Sequence, residues 1–563
     1  MSDIMNAVLL AAALIFNIFI WIRMLRNKNC EVVWNKQAGI LKSSKAYELA
    51  LFLIICIALF IRLYRFAQVP GGMNQDSAMA AVDAKALAEY GTDRFGMRYP
   101  VHLTAWGTSQ MSSLLSYLMI PFIKLLGFSV FSVSLPQLLA SLLGLLFLYL
   151  LIRDVFGKDA ALVVLFFGAI CPWHILQSRW PLDCNLFPHF LIAAVYFLYL
   201  SVRKEAVRIR YLFLSMFLFG LSMYCYGVSI YTVPLFLLGA CIYLLCIKKV
   251  TFRDVCLAFL AYMLIAWPFI ACMAINFLKI NTITTPFFTI PYFADSVRAS
   301  DILFFSENIG VQLLANIRSL LTATVLQGSD LLWNNMEIFG SMYLFSMPFA
   351  FTGLFALLRY RRKNTGAVLI VLFLMVGIWC GLITNNVNIN RVNIIYYPIM
   401  ILVGIGIYVS VFLLPGCLIQ CVTGMIYTAA FAHLAIVYFT TYAVAVGQTF
   451  YEDFAAALLS IKDEKYTCYY ITADTQSEGT AEVSEILTMF WLEIDAQYYQ
   501  GITLSEDDML YSEKYIYESM ENITIDPDEN AVYIVCEDDL QYFDMDVYLF
   551  EQYGSYYVVK KDY

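Results

Sequence analysis

Uncharged apolar stretches of membrane-spanning length recur along this chain, more of them than a soluble fold can bury. A helix of about 20 apolar residues crosses a ~30 Å hydrocarbon core. Windows of that kind fall at about twelve places: residues 5–22, 46–65, 132–152, 159–173, 186–202, 211–225, 230–247, 254–277, 341–359, 366–384, 394–413 and 418–444. A shorter apolar piece, Leu114–Leu126, is broken by Pro121 and Lys124 and reads as a helix lying at the interface. Only 14% of the residues are charged, against about 25% in a soluble chain. The run from Ala7 to Ile22 has neither a basic start nor a small-residue cleavage site before its basic flank, so it reads as a retained span.

Charge is unevenly divided. Residues 448–563 hold 26 acidic and 5 basic residues, a net −21, which leaves +13 on the rest of a chain whose total is −8. We therefore expect a transmembrane domain over 1–447 and an acidic extracytoplasmic α/β domain over 448–563. Tail strands are predicted at Tyr466–Thr472 and Ala531–Glu537, with a helix from Thr480 and a hairpin over Tyr548–Lys560. The acidic tail excludes nucleic acid as a partner. Cys468 and Cys536, the two tail cysteines, either pair or remain free.

Basic clusters orient the spans. Arg23–Lys45 (with Arg26, Lys28, Lys36 and Lys42), Arg203–Arg210, Lys248–Arg253 and Arg359–Lys363 all fall on one side of the twelve-span arrangement, which is then the cytoplasm. Both termini, the first loop (69–131), the 174–185 loop, the large loop 278–340 and the tail would lie outside. The large loop carries an amphipathic stretch near Ile302–Leu321 and a turn at Gln327–Asp330, and its length suits a lid or binding surface.

Three outer features carry polar chemistry. The stretch Val69–Ser112 follows the second span; Pro70, Gly71 and Gly72 end that helix, and Asp76 or Ser77 suits the cap of a new one. Asp76 and Asp83 are seven apart and so share a face, with Lys85 close by. Asp76 is either a plain N-cap or a carboxylate placed for chemistry at the membrane surface. The second feature, CPWHILQSRWPLDCN, packs His174, Arg179 and Asp183 into ten residues. Its tryptophans serve as interface anchors, and Arg179 and Asp183 have the option of pairing, yet ionisable groups near the bilayer tend to be functional. The third, NNVNINRVN, holds Arg391 as the only charge for about 25 residues on either side; it suits a phosphate diester or snorkels to lipid headgroups.

The runs DSAMAAVDAKALAEYGTDRFGMRYP and CPWHILQSRWPLDCNLFP, joined by the apolar segment between them, resemble bacterial members of the protein mannosyltransferase and aminoarabinose transferase family. These are polytopic GT-C glycosyltransferases that use polyprenyl-phosphate sugars. The likeness covers residues 47–202 well and Arg391–Pro398 more loosely. It implies an essential Asp in the first external loop, matched by Asp76. Where many members carry an acidic pair, this chain has Asp76-Ser77, so no metal site is indicated and no cofactor is implied.

The resemblance implies a plasma-membrane glycosyltransferase moving a sugar, with inversion, from a polyprenyl-phosphate donor to a hydroxyl of a protein, lipid or cell-envelope glycan. Asp76 would act as the base, with Asp183 the next candidate. Arg391, with Lys85 or Arg179, would neutralise the leaving phosphate, and Asp83 and His174 would complete the substrate contacts. Two rivals differ in kind: a flippase or transporter of lipid-linked sugars, and an oligosaccharyltransferase or ligase of related architecture. Charges in a transporter sit at the midplane within broken helices, whereas here they gather in the loops.

Overall fold

A computed structural model describes residues 3–26, 43–107, 109–294, 301–360, 364–413, 417–474 and 480–561. Lys28, Lys36 and Lys42 of the first basic cluster, and Arg361, Arg362 and Lys363 of the last, lie outside the described residues. The chain forms two compact units. The first comprises 1–66, 137–274 and 295–439; the second comprises 67–136, 275–294 and 440–563.

The first unit is helical. Among the described residues, ten helices of the chain are long and apolar enough to cross a membrane. Nine of them coincide with expected spans. Three other expected spans form shorter helices, Lys158–Ile170, Arg208–Ser222 and Met347–Tyr360; Pro172 opens a separate turn just after the first of these. The tenth long helix, Ile309–Leu326, corrects the reading of that stretch as an amphipathic loop segment. Its polar Asn316 is turned inward, donating to the Leu382 carbonyl at 3.0 Å and to Asn385 Oδ1 at 3.2 Å.

At the centre of this unit the helix Tyr396–Leu413 is buried from Tyr396 to Val411. It meets Met347–Tyr360 backbone to backbone, because Gly353 and Gly406 have no side chains. A Cβ on either would strike a carbonyl oxygen of the opposite helix, that of Leu402 or Phe349.

The second unit is built round the helix Gln75–Tyr90. Six alanines give it a slim profile, and residues from Gln75 to Leu87 are buried apart from Asp76. It starts at Asn74, whose side chain accepts from the Asp76 amide at 3.0 Å, and ends at Gly91, whose φ of +72° needs no Cβ. Helix Leu114–Leu126, of 13 residues, packs against it. Strands β1 (Leu103–Ala105) and β2 (Ser109–Met111) form a hairpin with Leu103 opposite Met111, and β3 (Ile283–Thr284) pairs with β4 (Thr289–Ile290).

The tail supplies a five-stranded sheet: β5 (Cys468–Thr472), β6 (Tyr515–Glu518), β7 (Ala531–Cys536), β8 (Tyr548–Tyr553) and β9 (Tyr556–Lys561), in the order β6-β5-β7-β9-β8. β5 runs parallel to β6 and β7, while β9 is antiparallel to β7 and β8. The expected strands and final hairpin are present; β6 was not expected, since its Tyr-Ile-Tyr-Glu is too short to show a period. Helix Ala481–Trp491 packs on Gln75–Tyr90. Cys468 and Cys536 are free thiols.

Candidate active site

The first unit holds a buried polar core that the apolar span pattern concealed. Arg62 is fully buried at the end of helix Ser44–Leu63. Nη1 donates to the carbonyls of Ala58 and Ala169, each at 3.0 Å, and Nη2 to Nδ1 of His174 at 2.9 Å. A guanidinium only donates, so Nδ1 accepts and the His174 proton resides on Nε2. Nε2 then donates to the Tyr397 hydroxyl at 3.0 Å, and that hydroxyl donates to Nδ1 of His189 at 2.9 Å. Gly144 leaves room for this relay, since a Cβ there would meet the Tyr397 hydroxyl and His189 Nδ1. His174 therefore presents no ring nitrogen to a substrate in this conformation. Arg62, His189 and Tyr397 went unnoticed in the sequence, although a charge inside an otherwise apolar span is itself a signal.

Arg179, 1% exposed, is held in the same unit by four carbonyls. Nη1 donates to Ile61 and Arg62 at 2.7 and 3.0 Å, and Nη2 to Tyr64 and Arg65 at 2.9 and 3.1 Å. It closes the C-terminal end of helix Ser44–Leu63, where orphan carbonyls and the helix dipole favour a cation. Its plane lies over the rings of Tyr438 and Phe439. This geometry engages the guanidinium that was expected at a donor phosphate. Asp183 begins helix Asp183–Arg203, half-buried, with Oδ1 accepting from the Cys184 amide at 2.6 Å.

Arg391 keeps partial exposure, at 27% of its side chain. It donates to the Asn385 carbonyl at 2.9 Å and pairs with Asp301 at 3.1 Å, so an arginine isolated in sequence has an acidic neighbour in space. Beneath it Asn393 is a hub: its amide donates to the Cys184 carbonyl at 3.0 Å, and its Oδ1 accepts from the Trp173 indole at 2.7 Å. That bond ties the second outer feature to the third.

In the second unit Asp76 is half-buried in the first turn of Gln75–Tyr90. Capping is the work of Asn74, not of Asp76 or Ser77 as expected. Asp83, two turns on, is buried: Oδ1 accepts the Arg94 amide at 3.0 Å, and Oδ2 lies 3.6 Å from Arg94 Nη1. Asp93 is beside it, accepting the amides of Phe95 and Met97 at 3.0 and 2.8 Å. Burial, then the charge of Asp83, pushes the Asp93 carboxyl up to about 7, and burial also raises Asp83 against the pull of Arg94. Lys85 donates to the carbonyls of Glu493 and Ile494 at 3.1 and 3.0 Å and lies 3.6 Å from Glu89. Its ammonium fastens the helix to the tail. Among the described residues no group of three or more His, Cys, Asp or Glu is arranged to hold a metal ion.

Comparison with known proteins agrees with this architecture. Residues 112–275 match the profile of the dolichyl-phosphate-mannose-protein mannosyltransferase family. Over 150 residues the chain is 32% identical to YkcB of Bacillus subtilis (strain 168), named as a candidate mannosyltransferase; the match covers 26% of this chain and only 20% of that protein. ArnT from Cupriavidus metallidurans has the same fold in two crystal structures, each 12% identical. The apo form aligns over 91% of this chain and 98% of its own with a TM-score of 0.55. The form bound to undecaprenyl phosphate aligns over 92% and 98% with a TM-score of 0.56. The resemblance read from the sequence is thereby borne out: residues 112–275 are similar to the dolichyl-phosphate-mannose-protein mannosyltransferase family, within a helical multi-span chain that has the ArnT fold.

Proposed function

We propose that this chain is a membrane glycosyltransferase that transfers a sugar, with inversion, from a polyprenyl-phosphate donor to an acceptor hydroxyl outside the cytoplasm. The observation that carries the reading is the ArnT fold, shared with a structure bound to undecaprenyl phosphate, together with the family segment at 112–275. A lipid-borne sugar phosphate needs an apolar bundle for its chain, a cation for its diester and a base for the acceptor. The first unit offers the bundle and Arg391, whose partial exposure and single acidic neighbour allow it to exchange Asp301 for a phosphate. The second offers Asp76, on a helix capped by another residue.

In this mechanism the Asp76 carboxylate takes the proton of the acceptor hydroxyl as its oxygen attacks the anomeric carbon. The bond to the phosphate oxygen breaks, and Arg391 stabilises the charge left on the polyprenyl phosphate. Asp183 is the alternative base. Lys85 and Arg179 serve the fold, which leaves Arg391 as the donor cation. The acceptor is a hydroxyl of a protein, a lipid or an envelope glycan.

Purified protein incubated with a panel of polyprenyl-phosphate sugars should consume at least one donor and release polyprenyl phosphate. Loss of no donor, with transport of intact lipid-linked sugar across a reconstituted bilayer, would overturn the enzymatic reading in favour of a flippase. Cysteine labelling in intact cells should place Ser505 outside and Lys204 inside, and the reverse would overturn the outward site.

A further inference from the structure

The second unit contains a cleft of about 200 Å³ whose polar lining the proposed chemistry leaves unused. Arg94, Phe95, Trp106, Glu482, Glu485 and Tyr499 line it. That volume is on the scale of a single sugar ring. Three aromatic side chains offer apolar faces, and two carboxylates one turn apart on helix Ala481–Trp491 offer acceptors. Burial holds Glu485 above the usual carboxylate range, against the pull of Arg94. Arg94 is nine-tenths buried and donates to the Thr104 carbonyl at 2.7 Å, while its Nη1, 3.6 Å from Asp83 Oδ2, makes no hydrogen bond among the described residues.

Trp106 follows β1 and lines the cleft. Trp106 and Gly107 both have positive φ, +45° and +68°, a region that costs a tryptophan backbone strain. A Cβ on Gly107 would lie 3.4 Å from Glu482 Oε1, so the backbone at Gly107 is next to helix Ala481–Trp491.

We propose that this cleft binds one uncharged pyranose ring, the sugar next to the acceptor hydroxyl, and so selects a glycan over a peptide as acceptor. The inference rests on the glycosyltransferase reading. A pyranose has an apolar C–H face that stacks on Trp106 and hydroxyls that donate to Glu482 and Glu485 and accept from Arg94. Two carboxylates exclude an anionic sugar or a phosphate. The cleft is thus suited to the acceptor and not to the donor diester.

The test is titration of the full-length protein in nanodiscs, without donor, by saturation-transfer NMR. The probes are methyl α-D-mannopyranoside, methyl β-D-glucopyranoside and D-glucuronate. At least one neutral glycoside should bind saturably in the millimolar range, and glucuronate should not. Trp106→Ala should weaken binding about tenfold or more, Glu485→Gln should weaken it, and Trp106→Phe should restore it. Melting profiles should match across the variants. Absence of saturable binding by both neutral glycosides, equal binding of glucuronate, or an unchanged Trp106→Ala protein would each overturn the proposal. Donor consumption without glycoside binding would defeat the cleft and leave the enzyme standing. Glycoside binding without donor consumption would do the reverse.

Discussion

Arg62 and His174, 112 positions apart, meet at 2.9 Å with the guanidinium donating to Nδ1 of a neutral imidazole. Both are fully buried, so the pair is costly to break from one side only. His174→Phe would remove an acceptor from a buried cation and a donor from Tyr397. A loss of about 2–4 kcal/mol is expected, read as a lower midpoint of thermal unfolding in detergent. His174→Gln, which retains an acceptor, should lose less.

Asp76→Asn should leave folding intact, because Asn74 caps the helix and the amide keeps the carboxylate's shape. Sugar transfer should fall by about 10²–10⁴ if the carboxylate is the general base. Initial rates at saturating donor, set beside an unchanged melting profile, check both halves. A well-folded variant with near-normal transfer would remove Asp76 from the mechanism and point to Asp183.

Arg391→Ala should cost about 10²–10³ in turnover, the usual consequence of losing one electrostatic contact to a leaving group. Stability should hardly move, since the pair with Asp301 is partly exposed at both ends. Unchanged turnover and donor affinity would make Arg391 a lipid anchor.

The pH response of the second unit follows from Asp93. Burial, then the charge of Asp83, pushes its carboxyl in the folded protein up to about 7, from an ordinary value of about 4. Between those values the folded state holds a proton that the unfolded chain releases, so this group's contribution to stability declines as pH rises from about 4 to 7 and then levels. The decline is bounded at about 4 kcal/mol by the size of the shift. Asp93→Asn keeps the acceptor for the Phe95 and Met97 amides and should flatten the dependence, read by unfolding midpoints from pH 5 to 8.

Much of the membrane body was legible because a span needs only a long uncharged apolar window, a local property. Tail strands β5 and β7 were legible for a related reason, as short apolar runs between acidic turns. What the sequence hid was pairing at a distance. Arg391 looked solitary because Asp301 is 90 positions away, and Lys85 looked available because its carbonyl partners lie some 408 positions on. Arg179 was expected at a phosphate, since nothing local shows that four carbonyls converge on it. Helix Ile309–Leu326 was missed because Asn316 and Arg318 weaken its apolar signal, although Asn316 has its partners inside the bundle.

The anchorage of Lys85 on Glu493 and Ile494 bears on how the molecule is made. Chains emerge from the ribosome N-terminus first, so the helix bearing Asp76 is synthesised long before its packing partner Ala481–Trp491, since Lys85 and Glu493 are 408 positions apart. Such distant partners also make for slow closure. Until helix Ala481–Trp491 and the residues just after it are delivered, the proposed catalytic carboxylate sits on an unsupported segment. A chain cut short before that helix would then be inserted but inert, and competence would begin only once Glu493 and Ile494 are in place.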